Sequence, residues 1–321
     1  MKRLPIAVTF TVALLAMAGL AVVAIGAPRN PAALEKLPYS GGMLMARAVA
    51  AGRVLLPSSH FASTSIAPVL TCSPAPCKLP NIDASEGGSN PVNEDPIAAN
   101  PTNTSQWITG GNDYNCGSIQ GFFATSDNGA TITRNCLATL SGMVGAGDPI
   151  VAYDTNNNVY AGGIDTDSSF TTGQIVISQS TNGGVTFPAP HVAVNSTFSG
   201  GLTDKPWMEA DNNPTSPHKG SIYISITDFS STSSSQITVS HSTDGGATFH
   251  TVKVSGTENI PAVNQFSDLA VGKDGTVYLS WIDCPGTGPT GDCGRDHDKD
   301  HVFEVKRWRR NMVDSCSGDQ H

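Results

Sequence analysis

Basic residues are scarce in this 321-residue chain, where 18 Lys and Arg stand against 27 Asp and Glu and the net charge is −9. That balance gives no electrostatic footprint for a nucleic-acid partner or an anionic membrane surface. Charge of either sign is thin, at 14% of residues, while Gly and Pro number 33 and 21. This is the profile of a turn-rich all-β protein and not of a helical enzyme. There is no HExxH, no GxSxG and no Walker loop, which removes the usual zinc-helix, serine-elbow and phosphate-cradle chemistries. The one GxGxxG string, Gly286 to Gly291, lies between Cys284 and Cys293, contains Pro289 and opens no helix, so it is not a nucleotide site. A long apolar run occurs once, from Leu4 to about Ile25 behind Met1-Lys2-Arg3, with Ala24, Gly26 and Ala27 after it. Residues 1–27 therefore read as a secretory signal, and the mature protein as secreted or periplasmic. Only an uncleaved segment would tie the chain to a membrane.

Three octapeptides are what the chain has instead. They are Thr125-Ser-Asp127-Asn-Gly129-Ala-Thr131-Ile132, Ser180-Thr-Asn182-Gly-Gly184-Val-Thr186-Phe187 and Ser242-Thr-Asp244-Gly-Gly246-Ala-Thr248-Phe249, with starts 55 and 62 residues apart. Each follows an alternating apolar and polar stretch such as Ile237 to Ser242 and supplies the residues of a tight hairpin turn. Three copies at blade-sized spacing signal a repeat architecture. A second repeat runs beside the first: Trp107, Tyr160, Tyr223 and Tyr278 are each followed five residues later by Asn112, Asp165, Asp228 and Asp283. Upstream of them stand Glu94, Asp148, Asp204 and Asp268.

The pattern Ser/Thr-x-Asp/Asn-x-Gly-x-Thr-apolar resembles the Asp-box, or bacterial neuraminidase repeat, of sialidase-like β-propellers. The resemblance covers roughly residues 90–294. It implies an all-β propeller of sialidase-like type, incomplete here at about three and a half four-stranded blades. It also implies that Asp127, Asn182 and Asp244, with Gly129, Gly184 and Gly246, are structural turn residues remote from any catalytic centre. In an up-and-down blade, the turns after strands one and three share one face, and the remaining loops share the other. The carboxylates Glu94, Asp148, Asp204 and Asp268, with Asn112, Asp165, Asp228 and Asp283, are then expected to gather opposite the octapeptides. They form an acidic mouth suited to a cation or to a neutral polyhydroxylated sugar, or else they are repeated structural caps.

Sialidases bind a carboxylated sugar through three arginines from different blades, whereas residues 90–294 contain Arg134 alone. Sialidase chemistry is therefore not expected of this chain. A glycoside hydrolase of another specificity needs only paired carboxylates, for which Asp204, Asp228 and Asp283 are the candidates. Asp148 and Asp165, with Trp207 and Trp281 as stacking platforms, are the candidate ligand contacts. The first expectation is a non-catalytic module that binds glycan or extracellular protein, and the alternative is a glycoside hydrolase. No metal or cofactor is called for; Asp154 to Asp165 resembles a calcium loop but has Val159 where glycine is required.

Of seven cysteines, Cys72 with Cys77, Cys116 with Cys136 and Cys284 with Cys293 are spaced as three local disulfides, leaving Cys316. Residues 28–89 read as leader and linker, with short helices over Ala33 to Lys36 and Met43 to Val54. Residues 295–321 depart from the blade pattern where a third strand and a fourth octapeptide are due, near residue 305. Read one base later, the Trp308 codon with a CGN arginine codon gives glycine, and the Met312 and Val313 codons give tryptophan. The shifted frame admits an octapeptide over Val305 to Val313, so the tail is expected to come from a frameshift.

Overall fold

The computed structural model describes residues 40–56, 63–66, 82–85, 90–230, 233–260, 262–284 and 302–308. Those residues are nearly all β, arranged as four antiparallel sheets in succession. Blade one holds β2 (Val92–Asn93), β3 (Ile97–Ala99), β4 (Trp107–Asp113), β5 (Gln120–Thr125) and β6 (Thr131–Cys136), with β1 (Ser63–Ile66) added outside β6. Blade two is β7 (Val144–Tyr153), β8 (Val159–Thr166), β9 (Gly173–Ser180) and β10 (His191–Asn195). Blade three is β11 (Leu202–Ala210), β12 (Ile222–Phe229), β13 (Ser234–Ser242) and β14 (His250–Lys253), and β15 (Glu258–Asn259) also pairs with β13. Blade four is β16 (Val263–Val271), β17 (Val277–Cys284) and β18 (Val302–Trp308). This up-and-down order, repeated sheet after sheet, is that of a β-propeller, and the sheets do not close into a ring.

The second strands show why the sequence takes this form. Every residue of β8 and of β12 is buried, because these strands lie mid-blade with a neighbouring blade on each face. Val159-Tyr160-Ala-Gly-Gly-Ile and Ile222-Tyr-Ile-Ser-Ile accordingly read as near-continuous apolar or small runs. Apolar layers join successive blades: Ile108, Phe122, Val151 and Tyr153 between one and two, Ile164, Ile177, Ile224 and Ile226 between two and three. Tyr223, Val239, Leu269 and Trp281 fill the layer between three and four. Each such side chain contributes roughly 1.5–3 kcal/mol on full burial.

All three octapeptides fold into one hydrogen-bonded turn. The hydroxyl of Thr125, Ser180 or Ser242 donates to Asp127, Asn182 or Asp244 at 2.7–2.8 Å and accepts from the N–H of Gly129, Gly184 or Gly246 at 2.8–3.0 Å. The Asp or Asn oxygen then accepts from the N–H of the Thr four residues on, at 2.8–3.0 Å. The three glycines have φ of 85–86°. A Cβ on Gly184 would come within 2.8 Å of Ala124 in the preceding blade, so glycine answers both the backbone sign and the packing.

The region expected to be leader and linker contributes a helix, α1 (Gly41–Ala50), shorter than the expected Met43 to Val54. Ser40 is its N-cap, accepting from Met43 N at 3.2 Å. Met43 and Ala46 are fully or nearly fully buried in the layer that also holds Ile119, Ala146 and Ile150. Residues 302–308, placed by the sequence reading in an anomalous tail, pair antiparallel with β17 from Asp283↔Val302 to Val277↔Trp308 and supply the third strand of blade four. A disulfide joins Cys116 and Cys136, with Cα atoms 5.6 Å apart. The apolar leader 1–27, the Cys72–Cys77 and Cys284–Cys293 pairings, the Gly286 to Gly291 string and the remainder of the tail fall wholly or partly outside the described residues.

Candidate functional site

The first strand of each blade enters through an irregularity, and those of blades one to three build the site. The ladder slips between Gly147 and Ile150, between Asp204 and Trp207, and between Gln265 and Asp268. At these slips Asp148, Lys205 and Phe266 take φ of 51°, 47° and 57°, and Glu94 takes 58° in blade one. Such conformations cost of order 1–3 kcal/mol for a residue with a side chain. Past the slip, Ile97, Ile150, Trp207 and Asp268 hold one place, paired with Thr109, Gly162, Ser225 and Ser280.

This register corrects the expected alignment of Glu94, Asp148, Asp204 and Asp268. Two residues before the shared place stand Asp95, Asp148, Lys205 and Phe266; three before it stand Glu94, Gly147, Asp204 and Gln265. Asp148 and Asp204 are thus not equivalent caps, and Asp268 lies exposed at the place of Trp207. The spacing in the sequence missed this because each bulge absorbs a residue without leaving a compositional trace.

Three of the carboxylates meet around Lys205. Its ammonium lies 2.9 Å from Glu94 Oε1 and 3.8 Å from Asp148 Oδ2. Asn112 Nδ2 donates to Glu94 Oε2 at 2.9 Å, and Asn112 Oδ1 accepts from Asp148 N at 2.7 Å. The N–H of Lys205 donates to Asp148 Oδ2 at 3.2 Å, and the N–H of Ser40 donates to Asp204 Oδ2 at 3.1 Å. Asp148 and Asp204 are 4% and 0% exposed. Burial, reinforced by the charges of Asp204 and Glu94, raises Asp148 well above the ordinary carboxylate value. Burial also raises Asp204, to about 6, against the pull of Lys205 and Ser40. Glu94 goes the other way: burial opposes its ionisation, but Lys205 and hydrogen bonds from Asp148 and Asn112 prevail and lower it. Burial thus favours the neutral form of Asp148 and Lys205 the charged form of Glu94, while the neighbouring carboxylates raise the lysine against its own burial.

A cleft of about 260 Å³ opens on this group, lined by Glu94, Asp95, Asp148, Lys205, Trp207 and three prolines. It is somewhat smaller than the roughly 300–1,000 Å³ of drug-sized ligand sites. Trp207 is 40% exposed on the wall of this cleft. Trp207 also borders a second cavity of about 180 Å³ along β3, β7 and β11.

The other candidate residues are placed elsewhere. Trp281, a candidate stacking platform, is 1% exposed and donates from Nε1 to Asn264 Oδ1 at 3.1 Å, so no ring face reaches a ligand. Asp228, a catalytic candidate, is fully buried and accepts from Ser196 Oγ and Thr197 Oγ1 at 2.5 Å and from Thr197 N at 2.9 Å. Asp165, a candidate ligand contact, is fully buried and accepts from Leu140 N at 2.7 Å and Gln120 Nε2 at 3.2 Å. Both carboxylates clamp the loop arriving from the preceding blade. Asp283 lies near the end of β17, paired with Asn264 on β16 and Val302 on β18. Arg134 is buried against Asp113 at 2.5 Å and lies over the ring of Phe123. Asp154 accepts from Asn156 N and Asn158 N at 2.8 Å, as a hairpin filler does. Among the described residues, no group of three His, Cys, Asp or Glu is placed to hold a metal ion.

No family model matches the chain, and no curated protein matches it. Solved structures do. A Trypanosoma rangeli sialidase in complex with 2,3-difluorosialic acid aligns at 13% identity and TM-score 0.39, over 60% of this chain and 34% of its own. A GH43_12 protein retrieved from capybara gut metagenome aligns at 13% and 0.41, over 60% and 36%. The intramolecular trans-sialidase from Ruminococcus gnavus aligns at 10% and 0.46, over 63% and 68%. The chain spans about a third of the length of the first two.

Proposed function

We propose that this chain is part of an exported Asp-box propeller that binds carbohydrate at the cleft around Lys205. The observation that carries the reading is a partly exposed Trp207 lining the same cleft as Glu94, Asp95 and Lys205. An aromatic face beside fixed charged acceptors and one donor suits a sugar ring, whose C–H face stacks and whose hydroxyls hydrogen-bond. Arg134, the one arginine of residues 90–294, is consumed by Asp113 and offers no guanidinium to an anionic sugar. A panel of neutral oligosaccharides, such as xylan, arabinan and cellulose fragments, titrated against the protein tests this. Trp207→Ala should weaken binding of a hit about tenfold or more, a loss of about 1.4 kcal/mol. Equal binding by that variant would remove the cleft from the reading.

Glycoside hydrolysis is the second reading, favoured by one pair on the cleft wall: Asp148, which burial raises, and Glu94, which Lys205 lowers. A carboxylic acid and a carboxylate that flank the scissile bond are the two groups such a reaction needs. Turnover of an aryl glycoside, lost in Glu94→Gln and Asp148→Asn, would establish it over binding alone.

A further inference from the structure

The N-terminal end of α1 sits on the axial carboxylates. The N–H of Ser40 donates to Asp204 Oδ2 at 3.1 Å across 164 residues of sequence. Gly41 lies against Glu94, where a Cβ would stand 3.3 Å from Oε1. Gly42 is tighter still: a Cβ there would meet Ala146 O at 2.4 Å and Asp148 Oδ1 at 3.0 Å. The pair of glycines therefore lets the first turn press onto the bulge of blade two, and Met43 and Ala46 anchor the next turn in the core. Beneath this contact, Asp148 Oδ1 and Asp204 Oδ1 are buried acceptors with no hydrogen-bond donor. A carboxylate oxygen buried without a donor is costly, and a structure normally supplies it with a partner. Just past the helix, residues 50–53 and Leu55 are exposed, Leu55 by 91%.

We infer that α1 is a masking element: it covers Asp148 and Asp204, and its displacement, or cleavage of the exposed stretch behind it, opens both carboxylates to the cleft. The inference rests on the reading of that cleft as the ligand site. It explains why Asp148 and Asp204 are closed to solvent while Glu94 and Asp95 are not. The helix is bound through a positive dipole end and two glycines, a contact that one side chain can disrupt.

Carboxyl footprinting with a carbodiimide and glycine ethyl ester, read by mass spectrometry, tests the mask without any sugar. In the intact chain, Glu94 and Asp95 should label while Asp148, Asp204, Asp165 and Asp228 stay protected. In Gly42→Val, whose side chain cannot fit over Ala146 O, and in protein cut by trypsin at Arg53, labelling of Asp148 and Asp204 should rise at least fivefold. Asp165 and Asp228 should remain protected, reporting that the blades are intact. The inference is overturned if Asp148 and Asp204 stay protected in both preparations. It is equally overturned if Asp165 and Asp228 label along with them, because α1 is then a structural part of the blades and not a cover. Failure of all sugars to bind would count against the functional reading and leave the footprint result standing.

Discussion

The octapeptide turns recur in three blades and the bulges in four, yet they have diverged in opposite ways. The three turns keep the same hydroxyl, the same Asp or Asn oxygen and the same φ near 85°. The bulges keep a positive φ of 47–58°, and the side chain that bears it is Glu94, Asp148, Lys205 or Phe266. A repeated side chain is what a scaffold requires, whereas a repeated backbone with a different side chain in every blade is what a site requires. The electrostatics divide in the same way. Hydrogen bonds, chiefly from Thr248, hold Asp244 below the ordinary carboxylate range. Burial holds Asp148, Asp165 and Asp204 above it.

The heaviest blow to the scaffold should come from Arg134→Met. It leaves Asp113 buried at 0% exposure without its countercharge, and loss of a buried partner costs about 3–5 kcal/mol. Urea denaturation measures it; a loss under 1 kcal/mol would mean that the pair is dispensable. Asp165→Asn comes next and separates the two classes by pH. Burial raises Asp165 to about 6 from 3.8, so the folded state holds this proton more tightly than the unfolded one. Its contribution to stability is full below about pH 4 and declines as pH rises through about 6, by about 3 kcal/mol in all. The asparagine keeps the acceptor for Leu140 and should flatten that decline when melting is compared at pH 4.5 and 7.

Asp244→Ala should act with the opposite sign. A lowered pKa stabilises above the unfolded value and is lost as pH falls through the folded one. The variant should therefore melt a few degrees lower at neutral pH, lose less on acidification than the parent, and bind any sugar unchanged. A loss of affinity without a change in melting would place the turn in the site. Lys205→Met is the smallest perturbation of stability, under about 1 kcal/mol for a partly exposed cluster. It sharpens the comparison because Glu94 loses the partner that lowers it, and its carboxyl carbon resonance in an NMR titration should shift at higher pH.

The scaffold was legible in the sequence because its signals are local. Asp, Gly and Thr within eight residues specify a turn on their own, and an aromatic strand ending in Asp marks the middle of a blade. The Cys116–Cys136 bridge was legible for the same reason, since 20 residues separate its ends. The axial group was only half legible. Asp148 and Asp204 stood out as carboxylates, but Lys205 meets Glu94 across 111 residues, and no periodicity announces a lysine in place of an acid. Trp207 and Trp281 carry the same residue type, and the ladder places one at a bulged first strand and the other mid-blade. Helix α1 was legible as a short helix, because Met, Leu, Ala and Arg are strong helix formers, but it was read as part of a linker. Its partners lie in blades two and three, which local pattern does not reveal.

Clamps join successive blades on both faces of the molecule. Asp165 and Asp228 reach back to the loops that feed their own blades, at Leu140 and at Ser196 and Thr197. On the other face, Asn135 of blade one grips Gly184 O in the turn of blade two at 3.0 Å, and His191 of blade two meets Gly246 O of blade three at 2.6 Å. Each blade is therefore stitched to its successor along both rims, like overlapping roof tiles nailed at the top and bottom edges. Under a shearing load the stitches at a given seam share the force in parallel, so neighbouring blades should slide past one another only when both rims give way together.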